Sequence, residues 1–155
     1  MIVYLDASAL VKRYVQELGT VEVNQLIVQA EAVGTSIISR AETAAALAKA
    51  YRLSVLSQGN AEQAVGFFRE EWPSLIRVQL SETVVRRADF VAWEHSLRGF
   101  DAVHLASALL WQEQLNQELL FATFDRSLWL AAQQSKLVPF PQDLSPFLAK
   151  GRKNG

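Results

Sequence analysis

Short, uncharged apolar runs alternate along this chain with longer segments whose apolar residues recur every three or four positions. Ile2–Leu5, Thr35–Ile38 and Leu119–Thr123 are short and rich in β-branched, leucine or aromatic residues, as buried strands are. Leu75–Leu80 alternates weakly and reads as another strand. Val138-Pro139-Phe140 fits a last strand at an edge, because proline cannot complete a central ladder. Between the strands lie helical patterns. Asp6 and Ser8 open one that turns Leu10, Val11, Tyr14 and Val15 inward and breaks at Gly19-Thr20. Others cover Val21–Ala32, Ser39–Leu53 and Ala61–Trp72, the last following a Gly59-Asn60 turn and ended by Pro73. Ser81 caps a helix to Ser96, Leu97–Phe100 connects, and Asp101–Leu115 and Arg126–Gln134 complete the set.

Strands separated by helices predict an α/β fold with a mainly parallel sheet covered on both faces. A chain of 155 residues is expected to form one domain. Residues 1–141 fill that domain, and 142–155 read as a poorly ordered tail ending in the basic run Lys150-Gly151-Arg152-Lys153.

Composition narrows the chemistry. Without cysteine, disulfides and thiolate zinc sites are excluded. Fifteen Lys/Arg against sixteen Asp/Glu give a net charge of −1, so any nucleic-acid contact needs a local basic patch. Half the residues are apolar, enough to leave some apolar surface for a partner. The opening residues carry no basic segment, and no window approaches the ~18 uncharged apolar residues of a membrane span. A cytoplasmic protein is expected.

Four acids stand out: Asp6, Glu42, Asp101 and Asp125. Asp6 and Asp125 follow strands, Glu42 lies one helical turn past another, and Asp101 starts a helix. Ligands of parallel sheets bind beyond the carboxyl ends of the strands. Each acid also has a plain structural reading. Asp6, Asp101 and Asp125 can cap helices, and Ser39-Arg40-Ala41-Glu42 matches a capping box. The readings are compatible, since a capping carboxylate keeps one oxygen free. Gathered together, however, the acids repel: two carboxylates about 4 Å apart cost about 4 kcal/mol at an effective dielectric near 20. Such a cluster calls for a hard cation.

The surrounding residues resemble the PIN-domain family, in particular VapC-type toxins of toxin–antitoxin pairs. Tyr4-Leu5-Asp6-Ala7-Ser8-Ala9-Leu10-Val11-Lys12 is similar to the family's opening motif, and Ser39-Arg40-Ala41-Glu42 to its second. Arg98-Gly99-Phe100-Asp101-Ala102-Val103-His104-Leu105-Ala106-Ser107-Ala108 resembles the third, and Ala122-Thr123-Phe124-Asp125-Arg126-Ser127-Leu128 the fourth. The resemblance runs from Ile2 to Pro141, in register. It implies a three-layer α/β/α sandwich and a metal-dependent endoribonuclease with Asp6, Glu42, Asp101 and Asp125 as its catalytic acids. Asp6 and Asp101 would hold Mg²⁺, or Mn²⁺ in its place. It further implies an RNA substrate, a small antitoxin over the active edge, and a homodimer.

Ser8, Arg40 and Arg126 are the candidate substrate contacts; Lys12 and Arg98 read rather as ordinary surface charges. His104 shares a helical face with Asp101, and a structural role is favoured over a shuttle or ligand. Trp72, Trp93, Trp111 and Trp129 read as core or interface before base-stacking platforms. Two rival functions remain. A non-catalytic cation- or RNA-binding module would share the fold. An aspartyl-nucleophile phosphatase would want a second acid two positions after Asp6, where Ser8 stands.

Overall fold

The computed structural model describes residues 1–148. Five strands form one sheet: β1 (Ile2–Leu5), β2 (Ala32–Ser36), β3 (Ile76–Val78), β4 (Leu119–Ala122) and β5 (Val138–Phe140). Their order is β3-β2-β1-β4-β5, and every pairing is parallel. β1 is central. Its Ile2 faces Ala32 of β2 on one side and Leu119 of β4 on the other. A strand buried on both faces can carry no charge, and Ile-Val-Tyr-Leu carries none.

The pleat of β1 sends alternate side chains to opposite faces. Ile2 and Tyr4 join a core with Val84 and Val91 of α5 (Glu82–His95), Leu105 and Leu109 of α6 (Gly99–Leu115) and Leu128 of α7 (Arg126–Gln134). Val3 and Leu5 join a second core with Leu10 of α1 (Ala7–Leu10), Leu26 of α2 (Thr20–Gln29), Leu47 of α3 (Ser39–Arg52) and Phe68 of α4 (Gln58–Glu71). Two cores on one sheet make the three-layer α/β/α sandwich. β5 is an edge strand, as Pro139 requires.

Several element boundaries depart from the pattern-based expectation. The first helix is short: α1 passes into a 3₁₀ turn at Val11–Arg13. There Lys12 Nζ donates to the Leu18 carbonyl at 2.7 Å and Arg13 reaches Glu71 at 2.7 Å, tying this turn to neighbouring segments. β2 starts at Ala32, with Gly34 inside it, because the Trp111 ring lies where a Cβ would stand. Gly59-Asn60 is the first turn of α4, capped by Ser57 Oγ on the Asn60 amide at 3.1 Å.

Two capping assignments are also corrected. α6 begins at Gly99, so Asp101 lies in its first turn and does not cap it. Ile38 precedes α3, and Ser39 Oγ pairs with Thr35 Oγ1 at 2.6 Å, so no capping box forms with Glu42. Beyond β5, Leu144 is buried, and a 3₁₀ turn at Ser145–Phe147 sets Phe147 edge-on to Phe124 at 5.3 Å. The basic run Lys150–Lys153 lies outside the described residues. Among the described residues, no helix is long and apolar enough to cross a membrane.

Candidate active site

The register of β1 and β4 builds the centre of the site. Leu5 pairs with Ala122, and the Asp6 amide donates to the Ala122 carbonyl at 3.1 Å, which brings Thr123 alongside Asp6. The Thr123 hydroxyl donates to Asp6 Oδ2 at 2.6 Å. Asp6 Oδ1 caps α1 by accepting from the Ala9 amide at 2.9 Å, and it accepts from Ser8 Oγ at 2.7 Å. A carboxylate offers about four lone-pair sites, so these three bonds leave room for one more. Asp6 is only 3% exposed. Burial pushes its pKa up, against the pull of His104 and the bonds from Thr123, Ser8 and Ala9.

Asp125 follows β4 and caps α7, accepting from the Leu128 amide at 2.9 Å. Its own amide donates to Thr123 Oγ1 at 3.1 Å, so one threonine ties two acids together. Asp101, half-buried in the first turn of α6, has its pKa raised by burial first, then by the charges of Asp125 and Asp6. His104 opposes that rise, and Glu42 adds to it more weakly. Asp101 therefore feels the other three acids, Asp125 and Asp6 more than Glu42. Their spacing is loose. Among the described residues no three acids or histidines converge into a ready metal cage.

Glu42 stands one turn into α3, whose start is fixed by a hydroxyl pair. Thr35 Oγ1 donates to the Leu5 carbonyl at 2.6 Å and meets Ser39 Oγ. Glu42 Oε1 lies 2.7 Å from His104 Nε2, and His104 Nδ1 lies 2.8 Å from the Tyr4 hydroxyl. His104 is thus part of the site's framework.

The candidate cations and hydroxyls divide. Ser8 Oγ is committed to Asp6 and accepts from the Phe124 amide at 2.9 Å. Arg40 is exposed, 5.9 Å from the centre of the Trp72 ring, and Arg126 is exposed at the start of α7. Lys12 is bound to Leu18 and lies over the Phe124 ring at 4.4 Å, a structural commitment. Trp72 and Trp111 are buried, Trp129 donates to the Pro141 carbonyl at 2.7 Å, and Trp93 alone of the four is 85% exposed.

Pattern reading gave Tyr4, Thr123 and the Thr35–Ser39 pair no role. Nothing local marks them beyond their spacing from the acids. Tyr4 and Asp6 are two apart, as are Thr123 and Asp125.

The donor set suits a hard divalent ion. Oxygen ligands are present, their charges are frustrated by burial and mutual repulsion, and an open edge suits an ion that keeps several waters.

This parallel sandwich with acids at the carboxyl ends of its strands defines a class. A profile of the PIN domain matches residues 3–132, and the chain belongs to the PIN-domain family. Within it, the chain falls with the VapC-type proteins. It is 35% identical over 145 residues to ribonuclease VapC45 of Mycobacterium tuberculosis (strain CDC 1551 / Oshkosh), covering 94% of this chain and 99% of that one. Two solved structures share the fold. PAE2754 from Pyrobaculum aerophilum superposes with a TM-score of 0.61 at 20% identity, covering 97% of this chain and 91% of the other. A toxin–antitoxin complex from Klebsiella pneumoniae superposes with a TM-score of 0.56 at 19% identity, covering 79% and 86%.

Proposed function

We propose that this chain is a divalent-metal-dependent endoribonuclease, the toxin of a toxin–antitoxin pair. The observation that carries the reading is Asp101. Its carboxyl is held above the ordinary range by burial and by Asp125, Asp6 and Glu42, contributed by different elements. Asp6 and Asp101 would hold Mg²⁺, or Mn²⁺ in its place. Bound there, the ion would acidify its water and stabilise charge on the phosphate.

The protein's own groups do the rest. Ser8 and Thr123 hold Asp6 in one orientation. Glu42 has one oxygen on His104 and one without a hydrogen bond among the described residues, suited to orienting an attacking water. Asp125 completes the edge. Attack in line with the 3′ oxygen would leave a 5′ phosphate. Arg40 and Arg126 would take up backbone phosphates of the RNA. The name of the VapC45 relative supports the ribonuclease activity. The Klebsiella complex supports a small antitoxin partner. Exposed Phe90, Trp93 and Phe100 support protein-covered faces, including that of a homodimer.

The test is cleavage of single-stranded RNA with Mg²⁺ or Mn²⁺, with chelator, and with Asp6→Asn and Asp101→Asn. The expected result is metal-dependent cleavage, lost by chelation and reduced about 100-fold or more in each variant. RNA binding without cleavage at any metal concentration would instead select the non-catalytic module.

A further inference from the structure

Tyr4 and His104 are less exposed than any acid at the edge; the Tyr4 ring packs in the first core, while its hydroxyl and the imidazole are buried polar groups. We propose that they are positioning residues for Glu42: a buried hydroxyl–imidazole pair that fixes which imidazole nitrogen donates, and so holds one Glu42 oxygen while the other stays open. This rests on the nuclease reading for its consequence, and on the geometry alone for its existence.

The tautomer follows from the partners. An ionised carboxylate only accepts, so His104 Nε2 must carry the hydrogen that bridges the 2.7 Å to Glu42 Oε1. A neutral imidazole then has a bare Nδ1, which accepts the Tyr4 O–H at 2.8 Å. In the neutral ring both nitrogens are thereby satisfied, and the residue is 1% exposed. Ser107, one turn further along α6 than His104, is buried with its Oγ in no hydrogen bond.

The pair is rigid. The Tyr4 ring lies flat on Phe121 (5.3 Å between centres, 6° between planes), tilts against Trp111 at 6.5 Å and meets the His104 ring edge-on at 5.9 Å. Glu42 is different: its side chain is 25% exposed, on a third element. A histidine with a purely packing role has no need of a partly exposed carboxylate. Partners of this second layer fix tautomer and orientation, and their loss commonly costs 10- to 100-fold in affinity or activity.

The test uses full-length protein. With only two histidines in the chain, ring-nitrogen NMR of His104 is assigned by comparison with His104→Gln. The expected wild-type signature is a protonated Nε2 and a bare Nδ1. In Tyr4→Phe, a mixture of tautomers should appear. Single-turnover cleavage at saturating RNA should fall about 10-fold, with RNA affinity unchanged. His104→Gln, which can place an amide N–H near the Nε2 position, should retain more activity than His104→Leu. Melting curves confirm that each variant is folded. The proposal is overturned by a protonated Nδ1 in the wild type, by a tautomer and rate indifferent to Tyr4→Phe, or by equal loss in the Gln and Leu variants. If the wild-type protein cuts no RNA, the nuclease reading fails, and the tautomer alone decides whether the pair exists.

Discussion

Asp101 shows how a single side chain bears the conflict of the site. Its position in the first turn of α6 favours negative charge by about 0.3–1 kcal/mol. Its pKa is nevertheless raised, so burial and the neighbouring acids outweigh the helix. A raised carboxyl stabilises the fold fully below its unfolded value, and that contribution is lost as pH rises through the folded value. Asp101→Asn escapes the loss. Without metal, the variant should melt with the wild type near pH 4 and above it near pH 8, by about 1 kcal/mol or less once solvent screening is allowed for. Added Mg²⁺ should narrow the gap, because the charged form gains a ligand. Thermal melts in chelator across this range check it; a variant less stable than wild type at pH 8 would remove the electrostatic argument. At this scale the acids were legible because their motifs stand in order along the chain. The hydroxyls that orient them were not, since Tyr4 and Thr123 act through a register no local pattern encodes.

Elements were legible wherever a period or a cap is local. Ser81 and Asp125 cap as read, accepting from Val84 and Leu128. Errors arose where tertiary contact overrode the local signal, and Gly34 is the clearest. The pattern places this strand at Thr35–Ile38, just after Gly34, whereas Gly34 lies within β2, where a side chain from α6 needs the space. A Cβ there would come within 2.6 Å of two Trp111 ring atoms. Trp111 is itself buried and packs against the Tyr4 ring. Gly34→Ala is therefore expected to destabilise by about 1–3 kcal/mol, the usual cost of overpacking. Urea unfolding measures it, and a smaller residue at Trp111 should recover part of the loss. An alanine variant as stable as the wild type would show that the ring has room to yield.

Taken whole, the molecule gathers its electrostatic cost where Asp6 and Asp101 are held with raised pKa. Pattern reading reached the three layers and the parallel sheet, but not the strand order: β1 pairs with β2 and β4 through residues no spacing rule connects. If an ion neutralises the crowded acids, the entire domain should feel it. At a metal concentration near 100 times its Kd, unfolding should become harder by about 2.7 kcal/mol. Melting temperature titrated with Mg²⁺ and Mn²⁺ checks this. Asp6→Asn should abolish most of the response, and a flat titration in the wild type would remove the metal from the proposal.

The central place of β1 also sets a timetable. Its last residue is Leu5, while the strand that flanks it and supplies Thr123 begins only at Leu119. On the ribosome, Asp6 is made 117 positions before its companion hydroxyl on Thr123 exists. A chain that stops short of Thr123 lacks the hydroxyl that holds Asp6 Oδ2, so this edge cannot close before that residue is made.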